Sequence, residues 1–218
     1  MTNYWDERFM RHIDKNAIHT IVEVGARYGD ESKILSNVFN KANIYSFECN
    51  PITIDICRHN LQDIPRIHFC DYGLGDTNTT LPFYSYIQQN DGASSFFKRI
   101  DCEQTQRETG YMKISTLFDF TRENNITSVD LLCMDIQGYE LNVLKGCGEY
   151  ISKVKYIIME EPKQEINLTY LPKDTHSKYI GAPSYYDIKQ FMEKHDFVEL
   201  ERIDENAIED NVMYMKRT

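Results

Sequence analysis

Thr20-Ile21-Val22-Glu23-Val24-Gly25-Ala26-Arg27-Tyr28-Gly29-Asp30 is a β-branched run that stops at a glycine and opens a helical pattern. The run 20–24 reads as a buried strand. Apolar residues at Ile34, Leu35, Val38 and Phe39 then give helical spacing across 30–40. Ile44 to Phe47 reads as a second strand. Asn50-Pro51 follows as a helix start, with Asn as cap and Pro in the first turn, and the helix should run to about Leu61. Arg66 to Cys70 is a third strand. The order β-α-β-α-β predicts an α/β fold with a parallel sheet and helices on both faces.

Upstream, residues 3–16 suggest an amphipathic lead-in helix within 1–18, with Trp5, Phe9 and Ile13 on its apolar side. Downstream, Leu81 to Tyr86 alternates and reads as an extra strand. Residues 87–112 are polar, carry Gly92 and Gly110, and read as a long loop with at most one helical turn. Ser115 to Asn124 is a helix, Val129 to Met134 a fourth strand, 138–146 a helix and Lys155 to Met159 a fifth strand. A second long loop spans 162–183. Ser184 and Asp187 form a capping-box pattern that starts a helix to about His195. Phe197 to Ile203 and Val212 to Lys216 predict an antiparallel hairpin at the sheet edge. No repeat, low-complexity tract or linker interrupts the chain, so 1–218 reads as a single domain. Loops as long as 87–112 and 162–183 are usually functional, and both are expected on the acceptor side of a site.

Composition limits the partners. The 218 residues carry 24 Lys+Arg against 34 Asp+Glu, a net charge of −10. No basic cluster offsets it, which speaks against nucleic acid and anionic membranes as partners. A small-molecule acceptor fits better. No apolar run approaches a membrane span, and Met1 to Glu7 lacks the pattern of a signal peptide. Six cysteines without a C-x-x-C pair read as reduced thiols of a cytoplasmic protein.

The chemistry should gather at the strand ends. Gly25 permits backbone to pass close to a ligand, and Gly29 permits a tight turn into the helix. Arg27 holds the middle position of what would be G-x-G-x-x-G. It would crowd a pyrophosphate, so the segment from Glu23 through Arg27, Tyr28 and Gly29 suits a ligand without one, such as S-adenosylmethionine (SAM). Glu48, 23 residues beyond Gly25, can accept both ribose hydroxyls, or simply sit in solvent. Asp71, with Tyr72 and Gly73 after it, can meet an adenine amine or cap the next turn. Asp135, ending the fourth strand, belongs beside the ligand's reactive end, or caps the helix that follows.

Taken together, Gly25 to Gly29, Phe47-Glu48-x-x-Pro51, Asp135-Ile136-Gln137-Gly138-Tyr139-Glu140 and Val143-Leu144-Lys145-Gly146 resemble the FkbM family of SAM-dependent methyltransferases. The resemblance covers about 20–162. The family usually reads D-x-E-G-x-E, where this chain has Gln137, and often has Lys where this chain has Cys133. The resemblance implies a Rossmann-like class I methyltransferase: a mostly parallel seven-stranded sheet, helices on both faces and an antiparallel C-terminal hairpin. It also implies O-methylation of a sugar or polyketide hydroxyl.

Methyl transfer from a sulfonium needs acceptor oxygen, methyl carbon and sulfur in line. A base near the oxygen helps; a divalent cation on two vicinal hydroxyls is the alternative, although no set of ligating residues stands out to hold one. Asp135, Glu160, Glu161 and His176 are the groups available, with one of Glu160 and Glu161 expected to face the crevice. Tyr170, Tyr179, Phe96 and Phe97 offer an aromatic platform for a sugar. The leading expectation is a SAM-dependent O-methyltransferase acting on a small molecule or glycan. The competing classes are a methyltransferase of nucleic acid or protein and a non-catalytic SAM-binding module. The sequence leaves open whether the chain is one domain of a larger glycan-processing protein.

Overall fold

The computed structural model describes residues 3–86, 91–100, 106–165 and 177–217. In chain order the elements begin with α1 (Glu7–Met10), β1 (Thr20–Val24), α2 (Asp30–Val38), β2 (Asn43–Phe47), α3 (Ile54–Leu61) and β3 (Ile67–Cys70). Then come β4 (Gly73–Leu74), β5 (Thr79–Tyr86), β6 (Gln106–Ser115), α4 (Leu117–Glu123), β7 (Val129–Met134) and α5 (Glu140–Gly146). The chain ends with β8 (Val154–Pro162), α6 (Tyr185–Lys194), β9 (Phe197–Asp204) and β10 (Glu209–Lys216).

Seven strands form one sheet in the order β3-β2-β1-β7-β8-β10-β9. All neighbours are parallel except β10, which runs antiparallel to both β8 and β9. The predicted mostly parallel seven-stranded sheet and C-terminal hairpin are therefore present. The hairpin does not simply flank the edge: its second strand inserts beside β8 and leaves β9 outermost. The chain order reverses between β1 and β7, which makes that position the switch point of the sheet.

The continuous apolar runs of β1 and β7 arise because both sheet faces are covered. Leu132 and Met134 enter one core with Leu117, Leu144, Ile157, Ile188 and Val212. Leu131 and Cys133 enter the other with Phe9, Leu35, Ile44, Cys57 and Ile158. Five described cysteines are free, Cys133 among the buried ones, and Cys102 lies outside the described residues. No helix among the described residues is long and apolar enough to cross a membrane.

Two local expectations are corrected. Residues 3–16 are not one helix. Asp6 caps the single turn of α1 through the Arg8 amide, and Asp14 starts a separate 3-10 turn at Lys15–Ala17 by accepting from the Asn16 amide. Each aspartate offers the backbone a new start and so breaks the continuous helix. Phe9 and Ile13 are nonetheless buried, as the amphipathic pattern requires. The second correction falls in 87–112, whose end is strand rather than loop. β6 pairs antiparallel with β5 in a three-stranded sheet completed by β4. Its only buried residue is Ile114, so it carries no alternating signal.

Helix α5 lies against the turn after β4 at one point of backbone contact. A Cβ on Gly146 would overlap the carbonyl oxygen of Gly75. Gly146→Ala should destabilise the fold by about 3 kcal/mol, the upper range of an overpacked core, read as a lower urea midpoint at unchanged slope.

Candidate active site

A cleft of about 230 Å³ opens at the carboxyl ends of β1, β2 and β7, directly over the switch point. Gly25 explains how backbone reaches it. Its φ is +91°, and a Cβ there would overlap the carbonyl oxygen of Asp135. The ends of β1 and β7 therefore touch, and the Gly25 backbone itself lines the cleft. The Asp135 amide donates to the Val24 carbonyl at 3.2 Å, which holds the two strand ends together.

Glu48 lines the cleft and is buried. It accepts from the Arg27 amide at 2.5 Å and the Asn50 amide at 2.6 Å. Burial nevertheless pushes its pKa up to about 7. Arg27 has a φ of +51°. Its guanidinium and the Tyr28 hydroxyl both donate to Asp91, tying the glycine turn to the residues after β5. Gly29, at φ +81°, makes room for the Leu61 side chain. Glu23 is buried beneath the turn, where Ser32 and Ser46 donate to one of its oxygens. Its burial pushes the carboxyl up to about 7.

The opposite wall is aromatic. Phe47, Leu74, Phe83, Phe96 and Tyr139 line it, with the Phe83 and Phe96 rings 4.9 Å apart and Phe96 and Tyr139 5.0 Å apart. Gly73 lets Phe96 and Cys49 close in. Of the trio 71–73, only Gly73 lines the cleft. Asp71 is exposed and pairs with Arg58 at 3.0 Å. Tyr72 lies edge-on against Phe47 outside the lining.

At the other end, Asp135, Gln137 and Glu160 line the cleft together. The Gln137 side-chain amide donates to Asp135 Oδ1 at 2.8 Å and to Glu160 Oε2 at 2.9 Å. Burial, then Asp135, Glu209 and Glu140, pushes Glu160 well above the ordinary carboxylate range. Glu161, one residue on, faces away from this cleft. It accepts from Arg202 and, at 2.8 Å, from the Tyr214 hydroxyl. Glu140 caps the segment by accepting from the Ile136 amide at 3.0 Å, and burial pushes it up to about 8. Tyr179 is buried and donates to Gln137, while Phe97 packs on Tyr139. His176 and Tyr170 lie outside the described residues.

Residues 23–199 match the family model described as the methyltransferase FkbM domain. The chain belongs to the FkbM methyltransferase family. Its curated relatives include the 2-O-methyltransferase NoeI of Sinorhizobium fredii, 26% identical over 164 residues that make up 70% of this chain and 67% of the relative. A second is the hexuronic acid methyltransferase AglP of Haloferax volcanii, 26% identical over 81% of this chain and 67% of the relative. The fold is similar to that of a SAM-dependent methyltransferase from Aquifex aeolicus, with a TM-score of 0.52, 12% identity and coverage of 97% and 90% of the two chains. Aeropyrum pernix fibrillarin with bound SAM gives 0.54 at 10% identity, covering 93% and 69%.

In this FkbM methyltransferase several cleft residues escaped the sequence reading. Tyr4 reaches the cleft from the lead-in segment, and Glu31 from the first turn of α2. One Glu31 oxygen is buried with no hydrogen-bond partner among the described residues. Its position one residue after Asp30, at a helix start, was a usable signal, since a carboxylate there faces the same end as the glycine turn. Arg99, Lys178, Glu205, Asn206 and Glu209 complete the mouth. Glu205 and Asn206 come from the β9–β10 turn, and Glu209 starts β10 at the end of that turn. Its arrival beside β8 depends on the insertion of β10, which nothing local in the sequence announces.

Proposed function

We propose that this methyltransferase binds SAM across the carboxyl ends of β1, β2 and β4 and transfers its methyl group to a hydroxyl of a glycan or small-molecule acceptor seated against Asp135 and Glu160. The observation that carries the reading is that Glu48 and the Asp135–Gln137–Glu160 group open into one cleft. The residues fit the cofactor. The aromatic wall suits an adenine ring, and Glu48 suits the ribose hydroxyls. The buried Glu31 oxygen with no partner among the described residues suits the α-ammonium group of the cofactor's amino-acid tail, and Glu23 lies beneath the turn, close enough to Glu31 to feel its charge. When bound, SAM supplies an electrophilic methyl on a sulfonium.

The protein's part is alignment and proton handling. Gly25 lets the β1 and β7 ends come together, so Asp135 stands at a fixed depth in the cleft, where it would meet the reactive end of the bound cofactor. Asp135 accepts the hydroxyl proton, and Gln137 holds it in place. Arg27 and Asp91 line the cleft, and their contact, with Tyr28, fixes the glycine turn against the residues after β5. The names of the two curated relatives support a sugar hydroxyl as the methyl acceptor.

The test is transfer of labelled methyl from SAM to a panel of neutral sugars, uronic acids and oligosaccharides, with and without EDTA. Label on a sugar oxygen is expected. Label only in RNA or protein would overturn the acceptor class. SAM binding without turnover on any acceptor would make the chain a binding module. Loss of activity in EDTA, restored by a divalent ion, would shift the proton-handling role to a cation.

A further inference from the structure

Both segments that border the mouth of the cleft converge on Gln137. Residues 98–100 and 178–180 pair with each other like two short strands. The Ile100 amide donates to the Lys178 carbonyl at 2.9 Å, and the Ile180 amide to the Lys98 carbonyl at 2.7 Å. Between them Tyr179 turns inward, only 2% exposed. Its hydroxyl donates to Gln137 Oε1 at 2.6 Å, with the Ala93 carbonyl at 3.1 Å as a second, more distant acceptor. From the residues just before the first segment, Ser95 Oγ donates to the main-chain carbonyl of Gln137 at 2.9 Å. Gln137 itself has a φ of +57°, followed by Gly138 at +97°. A long side chain in the left-handed region is uncommon, and such positions persist where surrounding contacts impose them.

The amide has one accepting and one donating end, fixed across a planar group. Tyr179 occupies the accepting end. The donating end then meets Asp135 and Glu160 and bridges the two carboxyl groups. A glutamate at 137, the residue usual in the family block, keeps the acceptor for Tyr179 but adds a third carboxyl and removes both donors. Glu160 is already faced by Asp135, by Glu140 from α5, by Glu209 from β10 and by Lys178 from the second segment.

We propose that Gln137 is a positioning residue that makes pairing of the two segments over the cleft and orientation of Asp135 and Glu160 a single event. The consequence for catalysis rests on the methyl-transfer reading above, but the coupling itself is a property of the protein alone.

The experiment therefore uses neither SAM nor acceptor. Two isosteric variants of the full chain, Tyr179→Phe and Gln137→Glu, are compared with the parent. Hydrogen exchange at the Ile100 and Ile180 amides reports the pairing. The ¹³C carboxyl titration of Glu160 reports the other end. Tyr179→Phe should speed exchange at both amides about tenfold, the loss of one hydrogen bond. It should also raise the Glu160 midpoint by about half a pH unit, because the amide loses its fixed orientation. Gln137→Glu should leave exchange slow and raise the Glu160 midpoint by about one unit or more. Ser95→Ala, which loses a bond to the main chain of Gln137 and not to its amide, should leave the Glu160 midpoint in place. Faster exchange in Tyr179→Phe with an unmoved Glu160 midpoint would reduce Tyr179 to a packing role and overturn the proposal. An unmoved midpoint in Gln137→Glu would do the same. Neither outcome depends on whether the protein transfers a methyl group.

Discussion

Asp135→Asn should lower methyl-transfer turnover at least about 100-fold while SAM affinity changes little, the range of a lost general base. The substitution keeps the shape of the side chain. The carbonyl oxygen of the new amide can still accept from the Gln137 amide, so the local hydrogen bond survives. The backbone contacts of Asp135 with Val24 and Gly25 are untouched. What disappears is the capacity to take a proton at a point fixed by a strand buried on both faces. Glu160→Gln is the informative companion. Glu160 lines the same cleft, but burial and three neighbouring carboxyls push it well above the ordinary carboxylate range, so it ionises less readily than an ordinary carboxyl. Its loss should cost less than about tenfold. Single-turnover rates at saturating SAM separate the two. The opposite ranking, with Glu160→Gln the more damaged enzyme, would transfer the base role to Glu160.

The division of labour between these two carboxyls shows what a sequence can carry. Strands β1 and β7 were legible because burial on both faces leaves a continuous apolar run, and a run is visible without knowing its neighbours. The Ser184–Asp187 capping box was legible because both of its partners are local; the side chain of each meets the backbone of the other. Asp135 at a strand end followed from the same logic. β6 was not legible, since it fully buries only Ile114 and its pairing with β5 crosses the unpatterned stretch between them. The trio 71–73 shows a finer limit. The chain turns there, and which of three consecutive residues faces the cleft is set by the turn; Gly73 does so, while Asp71 turns to Arg58. Gln137 stood out only as a departure from a pattern. Its partners Tyr179 and Glu160 lie 42 and 23 residues away, so its role became visible only when the fold brought them together.

SAM affinity should rise from pH 6 to pH 8, and binding should release protons. Glu48 and Glu23 are each pushed up by burial to about 7, against an ordinary 4.5. In the free protein both therefore hold protons at pH 6 and are largely ionised at pH 8. A cation in the cleft favours the ionised forms, and a ribose hydroxyl donates better to a carboxylate than to an acid. Binding below pH 7 must then expel protons, and affinity weakens by up to about tenfold per pH unit for each proton expelled. Calorimetry in two buffers of different ionisation enthalpy measures that number. S-adenosylhomocysteine, which lacks the sulfonium charge, should show a shallower dependence. Glu48→Gln should flatten the profile and weaken SAM binding at pH 8 at least about tenfold, the loss of a charge-assisted hydrogen bond. Stability of the ligand-free protein should move the other way. The folded state retains protons that the unfolded chain releases above pH 4.5, so each raised carboxyl lowers stability as pH climbs from about 4.5 to 7, by about 3 kcal/mol once fully ionised. Thermal unfolding at pH 5.5 and pH 8 should show the free protein weaker at pH 8, with saturating SAM restoring more stability there than at pH 5.5. A pH-independent SAM affinity in the parent would remove Glu48 and Glu23 from the cofactor site together.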